Sequence, residues 1–294
     1  MKASKDHERL DMLTGSVPRT ERDLHALIRL VRASRRIVAL TGAGCSTGSG
    51  IPDYRDETGE WKRKPPLRFQ HFIASAENRK RYWARSMVGW GLVEAARPNA
   101  AHAALATIEM SGRLRYLVTQ NVDGLHQKAG SERVNDLHGR VDRVCCLGCD
   151  ARLSRVSFQE RLVLMNPQWR SRTAGFAPDG DADLEGVAFE SFRVPECTRC
   201  SGVLKPDVVF FGESVPRPRV EEAMANVDAA DLLLVVGSSL MVWSGYRFVK
   251  RAVERGVPVA AVNFGRTRAD AEIRVKVRGD CAAVLDAVVR AVLA

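Results

Sequence analysis

Arg35-Arg36-Ile37-Val38-Ala39-Leu40 runs directly into Thr41-Gly42-Ala43-Gly44. A short apolar run that ends in a glycine-rich turn reads as a buried strand. Further runs of strand length follow: Leu114-Arg115-Tyr116-Leu117-Val118-Thr119, Asp207-Val208-Val209-Phe210-Phe211, Leu232-Leu233-Leu234-Val235-Val236 and Val257-Pro258-Val259-Ala260-Ala261-Val262. Apolar residues at helical spacing lie between several of them, over 99–110, 220–229 and 245–255, and again in the tail, 282–293. Alternating strand and helix predicts an α/β fold with a parallel sheet covered on both faces. Two regions break the alternation: 62–97, which is helical and aromatic, and 141–204, which holds most of the cysteines. Both read as insertions that together build a smaller unit. The expected organisation is a lead over 1–24, a large domain from 25–61, 98–140 and 205–294, and a small domain from 62–97 and 141–204.

With 294 residues, 45% of them hydrophobic, the chain is long enough to bury a full core. The net charge of +10, from 45 Lys and Arg against 35 Asp and Glu, is spread along the chain rather than gathered in one run. Such a surplus reads as solvated surface and points to no specific nucleic-acid partner. The N-terminal segment mixes acidic and basic residues and has no apolar block, unlike a secretory signal or a transit peptide. No apolar stretch reaches the roughly 20 residues of a membrane span. The expectation is a cytoplasmic protein with a loose N-terminal lead and no membrane partner.

The seven cysteines are unevenly placed. Cys45 and Cys281 stand alone, Cys145, Cys146 and Cys149 cluster, and Cys197 and Cys200 form a second cluster. Clustering without an export signal favours metal over disulfides. Cys146-Leu147-Gly148-Cys149 and Cys197-Thr198-Arg199-Cys200 make two knuckles suited to tetrahedral coordination of Zn²⁺. The gap between them is far longer than the roughly 15 to 20 residues of a compact zinc ribbon. Cys145 with Cys149 is an alternative pairing. Four sulfurs leave no open position for water, so a zinc held this way is structural.

Gly42-Ala43-Gly44, at a strand end, offers backbone amides that can approach a pyrophosphate, with a helix dipole beyond. The loop departs from Gly-x-Gly-x-x-Gly, because position 47 is Thr and the next glycines are Gly48 and Gly50. Ile51-Pro52-Asp53-Tyr54-Arg55 sets an acid and a guanidinium beside a stiff proline, which a turn with a solvated ion pair would also do. Gln120, Asn121 and Asp123 follow the strand that ends at Thr119, and the carboxyl ends of parallel strands are where α/β sheets place ligands. His138, in Leu137-His138-Gly139, can act as a base near an unperturbed pKa of about 6.5. The other histidines, including His102 and His126, read as surface or core residues. Gly237-Ser238-Ser239 could hold phosphate after its apolar strand, and Asn263, followed by Phe264-Gly265, could bond an adenosine ribose.

Taken in this order, the motifs resemble the sirtuin (Sir2) family of NAD-dependent protein deacylases, over about residues 27–292. The resemblance implies a Rossmann-type doubly wound parallel sheet with a smaller inserted zinc-binding and helical domain. NAD, consumed as co-substrate, and an acyl-lysine protein or peptide would meet in the cleft between them. It implies that Asp53 bonds the nicotinamide carboxamide, with Tyr54 in the covering loop and Arg55 near the ribose and phosphates. Gln120 and Asn121 would face the nicotinamide ribose, Asp123 would bind nicotinamide, and Asn121 would join His138 as a catalytic residue. Gly42, Ala43, Gly44, Ser46, Gly237, Ser238, Ser239, Asn263, Phe264, Gly265 and Cys281 would line the rest of the dinucleotide site, although Cys281 fits a buried structural thiol equally well. Family spacing from His138 selects Cys146, with Cys149, Cys197 and Cys200, for one structural zinc per chain. The segment from Lys205 to Glu213 resembles one that pairs with an extended substrate peptide by β-augmentation, through Val209, Phe210, Gly212 and Glu213. In the implied reaction the acyl oxygen attacks the ribose carbon as nicotinamide leaves. His138 then activates a ribose hydroxyl, and the acyl group ends on ADP-ribose.

Cys45-Ser46-Thr47, Arg81-Tyr82-Trp83-Ala84-Arg85 and the long loop between the cysteine pairs resemble a bacterial member of the class II, mitochondrial-type, lipoamidase-like branch. Tyr82 and Arg85 have the spacing of the acidic-acyl pocket of desuccinylating relatives, which implies that Arg85 reads an acyl carboxylate; a surface arginine on a helix accounts for it equally well. A mono-ADP-ribosyltransferase using the same NAD site is the alternative activity. A non-catalytic NAD sensor would have no need of a base, and nothing marks a second small-molecule site for a dehydrogenase.

Overall fold

In the computed structural model, which describes residues 19–63, 66–170, 172, 182, 184 and 186–293, the first apolar run forms β1 (Ile37–Thr41) inside a six-stranded sheet. Its two neighbours, β2 (Leu114–Thr119) and β7 (Leu232–Val236), are both parallel to it. β3 (Val134–Asp136) lies outside β2, while β8 (Val259–Val262) and β9 (Val275–Val277) extend the sheet beyond β7. The order β3-β2-β1-β7-β8-β9 winds outward from β1 in both directions, which is the Rossmann arrangement. All five residues of β1 and of β7 are buried. Side chains alternate across a strand, so Ile37 and Ala39 enter one core while Val38 and Leu40 enter the other. Burial on both faces is why these runs are continuously apolar instead of alternating.

The first core is closed by α1 (Arg19–Ala33), α4 (Ala100–Met110) and α9 (Cys281–Leu293), and the second by α7 (Arg217–Asp228) and α8 (Trp243–Glu254). Residues 19–24, expected within a loose lead, instead open α1. That helix seats Leu27 and Val31 fully in the core, with Leu24 and Ile28 partly buried beside them. The rest of the expected lead lies outside the described residues.

The strand expected over 207–211 in the parallel sheet is displaced. β6 (Leu204–Val208) instead pairs antiparallel with β4 (Gly139–Cys146), which also pairs with β5 (Arg152–Ser154). Pro206 supplies the reason: proline donates no ladder hydrogen bond, and β6 lies on the edge of this three-stranded sheet. The small sheet packs with α2 (Phe69–Ala74), α3 (Ala76–Ala95) and α6 (Arg155–Met165) around Phe72, Trp83, Phe158 and Phe192. β3 and β9, three residues each, carry too little sequence for a period to be legible. Among the described residues no helix is long and apolar enough to cross a membrane.

Candidate active site

The winding direction reverses between β1 and β7, and open α/β sheets place ligands outside the strand ends at such a point. The turns leaving these two strands pack backbone against backbone. The Gly42 amide donates to the Val236 carbonyl at 3.0 Å and the Gly44 amide to the Gly237 carbonyl at 2.8 Å. A Cβ on Gly237, whose φ is +61°, would lie 2.3 Å from the Cys45 amide nitrogen, and one on Gly42 would lie 2.8 Å from Ser238 Cβ. Glycine is therefore set by close approach as much as by backbone freedom. The α-helix expected beyond Gly44 is replaced by two 3-10 turns, Ala43–Cys45 and Thr47–Ser49. The helix N-terminus at this site belongs to α9, whose Asp280 and Cys281 line the cavity, so the favourable dipole for phosphate comes from the opposite end of the chain.

A cavity of ≈ 790 Å³ opens here. Every residue expected to touch dinucleotide, base or peptide lines it, from Gly42 to Cys281, with one exception, Arg85.

His138 precedes Gly139, whose φ of +81° turns the chain from the end of β3 into β4. Its Nδ1 lies 2.9 Å from the Gln120 carbonyl, and its Nε2 lies 2.8 Å from Ser244 Oγ. A carbonyl only accepts, so Nδ1 carries the proton and Nε2 presents its lone pair. Burial pushes the imidazole pKa down to about 4; the Gln120 carbonyl opposes this, and the positive charges of Arg219 and Arg247 assist it. Near neutral pH the group is thus a base with its acceptor nitrogen already oriented.

Opposite stands a polar network. Asn121 Nδ2 donates to the Gly42 carbonyl and to Ser46 Oγ, both at 3.0 Å, and Ser46 donates to Asp123 Oδ2 at 2.7 Å. Asp123 also accepts the Leu125 amide at 2.9 Å, at the first residue of α5 (Leu125–Lys128). Gln120 Oε1 accepts from Ser238 at 2.6 Å. A Cβ at Gly245 would come within 2.7 Å of the Gln120 side-chain nitrogen, so a larger residue there would push the Gln120 side chain out of its bond to Ser238. Behind the network His102 and His126 are buried and neutral, with burial lowering both pKa values and that of His126 to about 3. His102 completes a reciprocal cap with Asn99 at the start of α4.

In the covering loop, Asp53 pairs with Lys62 at 2.5 Å. Arg55 donates to the Gly59 carbonyl at 2.7 Å and lies 4.0 Å over the Trp61 ring, so its guanidinium supports the loop as well as lining the cavity. Asn263 donates to the Gly265 carbonyl at 3.0 Å, and Phe264 stands exposed at the rim.

The zinc knuckles are as the spacing implied. The sulfurs of Cys146, Cys149, Cys197 and Cys200 lie within 4.8 Å of one another, with 3.5 Å between Cys146 and Cys200 and 3.7 Å between Cys149 and Cys197. A Zn–S bond of about 2.3 Å in tetrahedral geometry requires roughly 3.8 Å between sulfurs, so the donor set fits Zn²⁺. Gly148 and Arg199 amides donate to Cys146 and Cys197 sulfur at 3.3 and 3.4 Å. Cys145 is outside the group: neighbours on a strand face opposite ways, and it points off the other side of β4. None of the four ligands lines the cavity, which agrees with a structural metal.

On the substrate side one expectation needs correction. Arg85 donates through Nε to the Ala182 carbonyl at 2.9 Å and does not line the cavity, whereas Tyr82 does. A cation three residues further along α3 falls on a different part of the small core. Val209, Phe210, Gly212 and Glu213 line the cavity as expected of a peptide-facing segment, with part of its backbone already paired. The Val209 amide is spent on the His138 carbonyl at 2.7 Å and the Phe210 amide on Glu213 at 2.9 Å. The Phe211 and Gly212 carbonyls accept from Phe69 and Gln70. Ser244 and Arg247 were missed by the sequence reading, since a serine and an arginine at the start of a helix carry no local signal of the histidine they approach.

A Rossmann sheet with a dinucleotide cleft at its switch point, a neutral imidazole base in that cleft and a four-sulfur zinc module beside it define an NAD-using enzyme of the sirtuin type. The Sir2 family model matches residues 42–244. An NAD-dependent protein deacetylase of Bordetella bronchiseptica is 59% identical over 267 residues, covering 91% of this chain and 97% of that protein. The human mitochondrial NAD-dependent protein lipoamidase sirtuin-4 is 47% identical over 273 residues, covering 92% and 87%. Among solved structures, a Sir2–p53 peptide–NAD⁺ complex superposes with a TM-score of 0.70 at 30% identity, covering 90% of this chain and 96% of that one. The chain belongs to the Sir2 family of NAD-dependent protein deacetylases.

Proposed function

We infer that the protein removes acyl groups from lysine side chains of proteins or peptides, passing the acyl group to ADP-ribose. The observation that carries this is the fixed tautomer of His138, with Nδ1–H on the Gln120 carbonyl and the Nε2 lone pair at the cavity. When bound, NAD supplies the ribose carbon that receives the acyl oxygen, with nicotinamide as leaving group. His138 takes the proton of a ribose hydroxyl at Nε2, for which the Ser244 hydroxyl must give up its bond to that nitrogen. Asn121, with Ser46 and Asp123, holds the opposite wall in one arrangement before substrate arrives. Val93, Val122, Val141 and Leu67 give the cavity an apolar wall beside Tyr82 and Phe210, which suits acyl chains longer than acetyl. That wall, together with the likeness to the lipoamidase, supports placement in the class II branch.

The test is mass spectrometry of products after incubation with NAD and a panel of acyl-lysine peptides, with His138→Ala in parallel. Free lysine and O-acyl-ADP-ribose, lost in the variant, is the expected result. ADP-ribose attached to protein, without deacylation, would make the protein a transferase instead.

A further inference from the structure

Cys45, His102 and His126 meet behind the wall of the cleft, and none of them lines the cavity or belongs to the zinc knuckles. They come from three elements: the glycine turn after β1, the first turn of α4, and α5. All three are buried, and one donor atom from each lies within 4.8 Å of the other two. The two imidazole centroids are 4.8 Å apart.

Hydrogen bonds fix what these rings offer. Thr41 Oγ1 gives its one proton to Thr119 Oγ1 at 2.9 Å, so it accepts from His126 Nε2, also at 2.9 Å. His126 Nε2 therefore carries the ring proton, and Nδ1 holds a bare lone pair. That nitrogen is buried without a hydrogen-bond partner among the described residues. An unpaired buried acceptor is costly, and an imidazole whose other N–H is already held is oriented for a metal. His102 Nδ1 accepts the Asn99 amide at 3.3 Å, and its Nε2 lies 3.4 Å from Ser46 Oγ. Both bonds are long, so a metal displaces little there.

One thiolate with two imidazoles is a mixed sulfur and nitrogen donor set that suits Zn²⁺. Bonds of about 2.0–2.1 Å to nitrogen and 2.3 Å to sulfur put tetrahedral donors roughly 3.3 to 3.6 Å apart, so side-chain shifts of about an ångström close the group. Charge favours a dication. The Cys45 proton leaves to solvent on binding, and the thiolate balances one positive charge. The Asp123 carboxylate, 2.7 Å from Ser46 Oγ, balances the second. Ser46 and Asp123 both line the cavity, and Cys45 ends the 3-10 turn that carries Gly44. A dication behind this wall draws on the Asp123 charge and takes His102 from Ser46, at the expense of a ligand in the cleft.

We propose that Cys45, His102 and His126 form a second zinc site, apart from the knuckles, through which Zn²⁺ lowers the affinity of the cleft for NAD. The test takes the full-length protein with its knuckles loaded, in wild type, Cys45→Ala and His126→Gln, at free Zn²⁺ levels set by a chelator buffer. Zinc per chain is measured by elemental analysis after equilibrium dialysis, and the Kd for NAD by calorimetry. Wild type is expected to take a second zinc while each variant keeps only the first. The wild-type Kd for NAD then rises roughly tenfold or more as the second zinc binds, the loss expected for a hydrogen bond to a charged group. In the variants it does not respond to zinc. Co²⁺ added to the zinc-loaded wild type should show sulfur-to-metal charge-transfer absorption that Cys45→Ala lacks. A wild type that never exceeds one zinc, a second zinc retained in both variants, or a second zinc that leaves the Kd for NAD unchanged overturns the proposal. Absence of the cobalt band from wild type does so without any variant.

Discussion

His138 is held by two bonds of opposite sense, donating from Nδ1 to a backbone carbonyl and accepting at Nε2 from a serine. The protonated imidazole has no lone pair at Nε2, so activity follows the neutral form. With the pKa pushed down to about 4, the acid limb of kcat/KM falls as pH drops through about 4, and this group leaves the rate flat from there to neutrality. A midpoint near 6.5 in the pH–rate profile would show that the site is open to water and the ring unperturbed. Stability has the same sign: the unfolded histidines take up protons below about 6.5 while folded His138 and His126 do not. That contribution is full above pH 6.5 and is lost progressively as pH falls towards the folded values, which acid titration of urea midpoints would follow. The residue after the base is equally constrained. A Cβ on Gly139 would sit 2.0 Å from the Asp207 carbonyl oxygen, at φ +81°. Gly139→Ala is expected to cost several kcal/mol and to lower the melting temperature and the activity together, because the same turn aims the base. His138 was legible from its motif. Ser244 and Arg247 were not, since only tertiary packing brings α8 under the ring.

Elements were legible where packing demands a repeating pattern. β1, β2 and β7 announce themselves because both faces are buried, and α4 because its apolar spacing spans three turns. β6 has a similar run but a different sheet, and Pro206 was the one residue that argued for an edge. The expected helix after Gly44 failed for a reason invisible in composition: the turn packs on Gly237 and continues as 3-10 structure. α4 offers a test of how an element start supports the site. Asn99 caps it by accepting the Ala101 amide at 2.8 Å, and its Nδ2 donates to the Cys45 carbonyl at 2.9 Å and to Ser49 at 3.0 Å. Asn99→Ala removes both functions and is expected to cost about 1 to 2 kcal/mol from the cap alone, and more with the loop bonds. Asn99→Asp keeps the cap acceptor and loses only the donors. The prediction is that Asn99→Asp retains more thermal stability than Asn99→Ala but raises KM for NAD, because the loop it releases is the one carrying Gly44 and Ser46. Equal melting temperatures for the two variants would remove the cap from the account.

At the scale of the molecule, two kinds of core meet at one cleft. The four zinc-knuckle cysteines lie outside the two sheet cores, and Cys146 and Cys197 belong to the core of the small unit with Phe72, Trp83 and Phe158. The two are joined at the base itself: β4 begins at Gly139, and the Val209 amide beyond β6 donates to the His138 carbonyl. The four cysteines that would hold zinc are absent from the cavity wall, so a metal there would support catalysis only by fixing the β4–β6 pair that frames the histidine. Chelation, or Cys146→Ser, is expected to abolish deacylation while ADP-ribose binding by calorimetry weakens only a few-fold, because the glycine turns and the α9 terminus that would hold it belong to the sheet. Hydrogen exchange should then show β4, β5 and β6 losing protection while β1, β2 and β7 keep theirs. If instead the metal-free protein loses ADP-ribose binding and β1 protection in the same step, the two cores fold as one cooperative unit, and the zinc stabilises the whole sheet rather than the placement of the base.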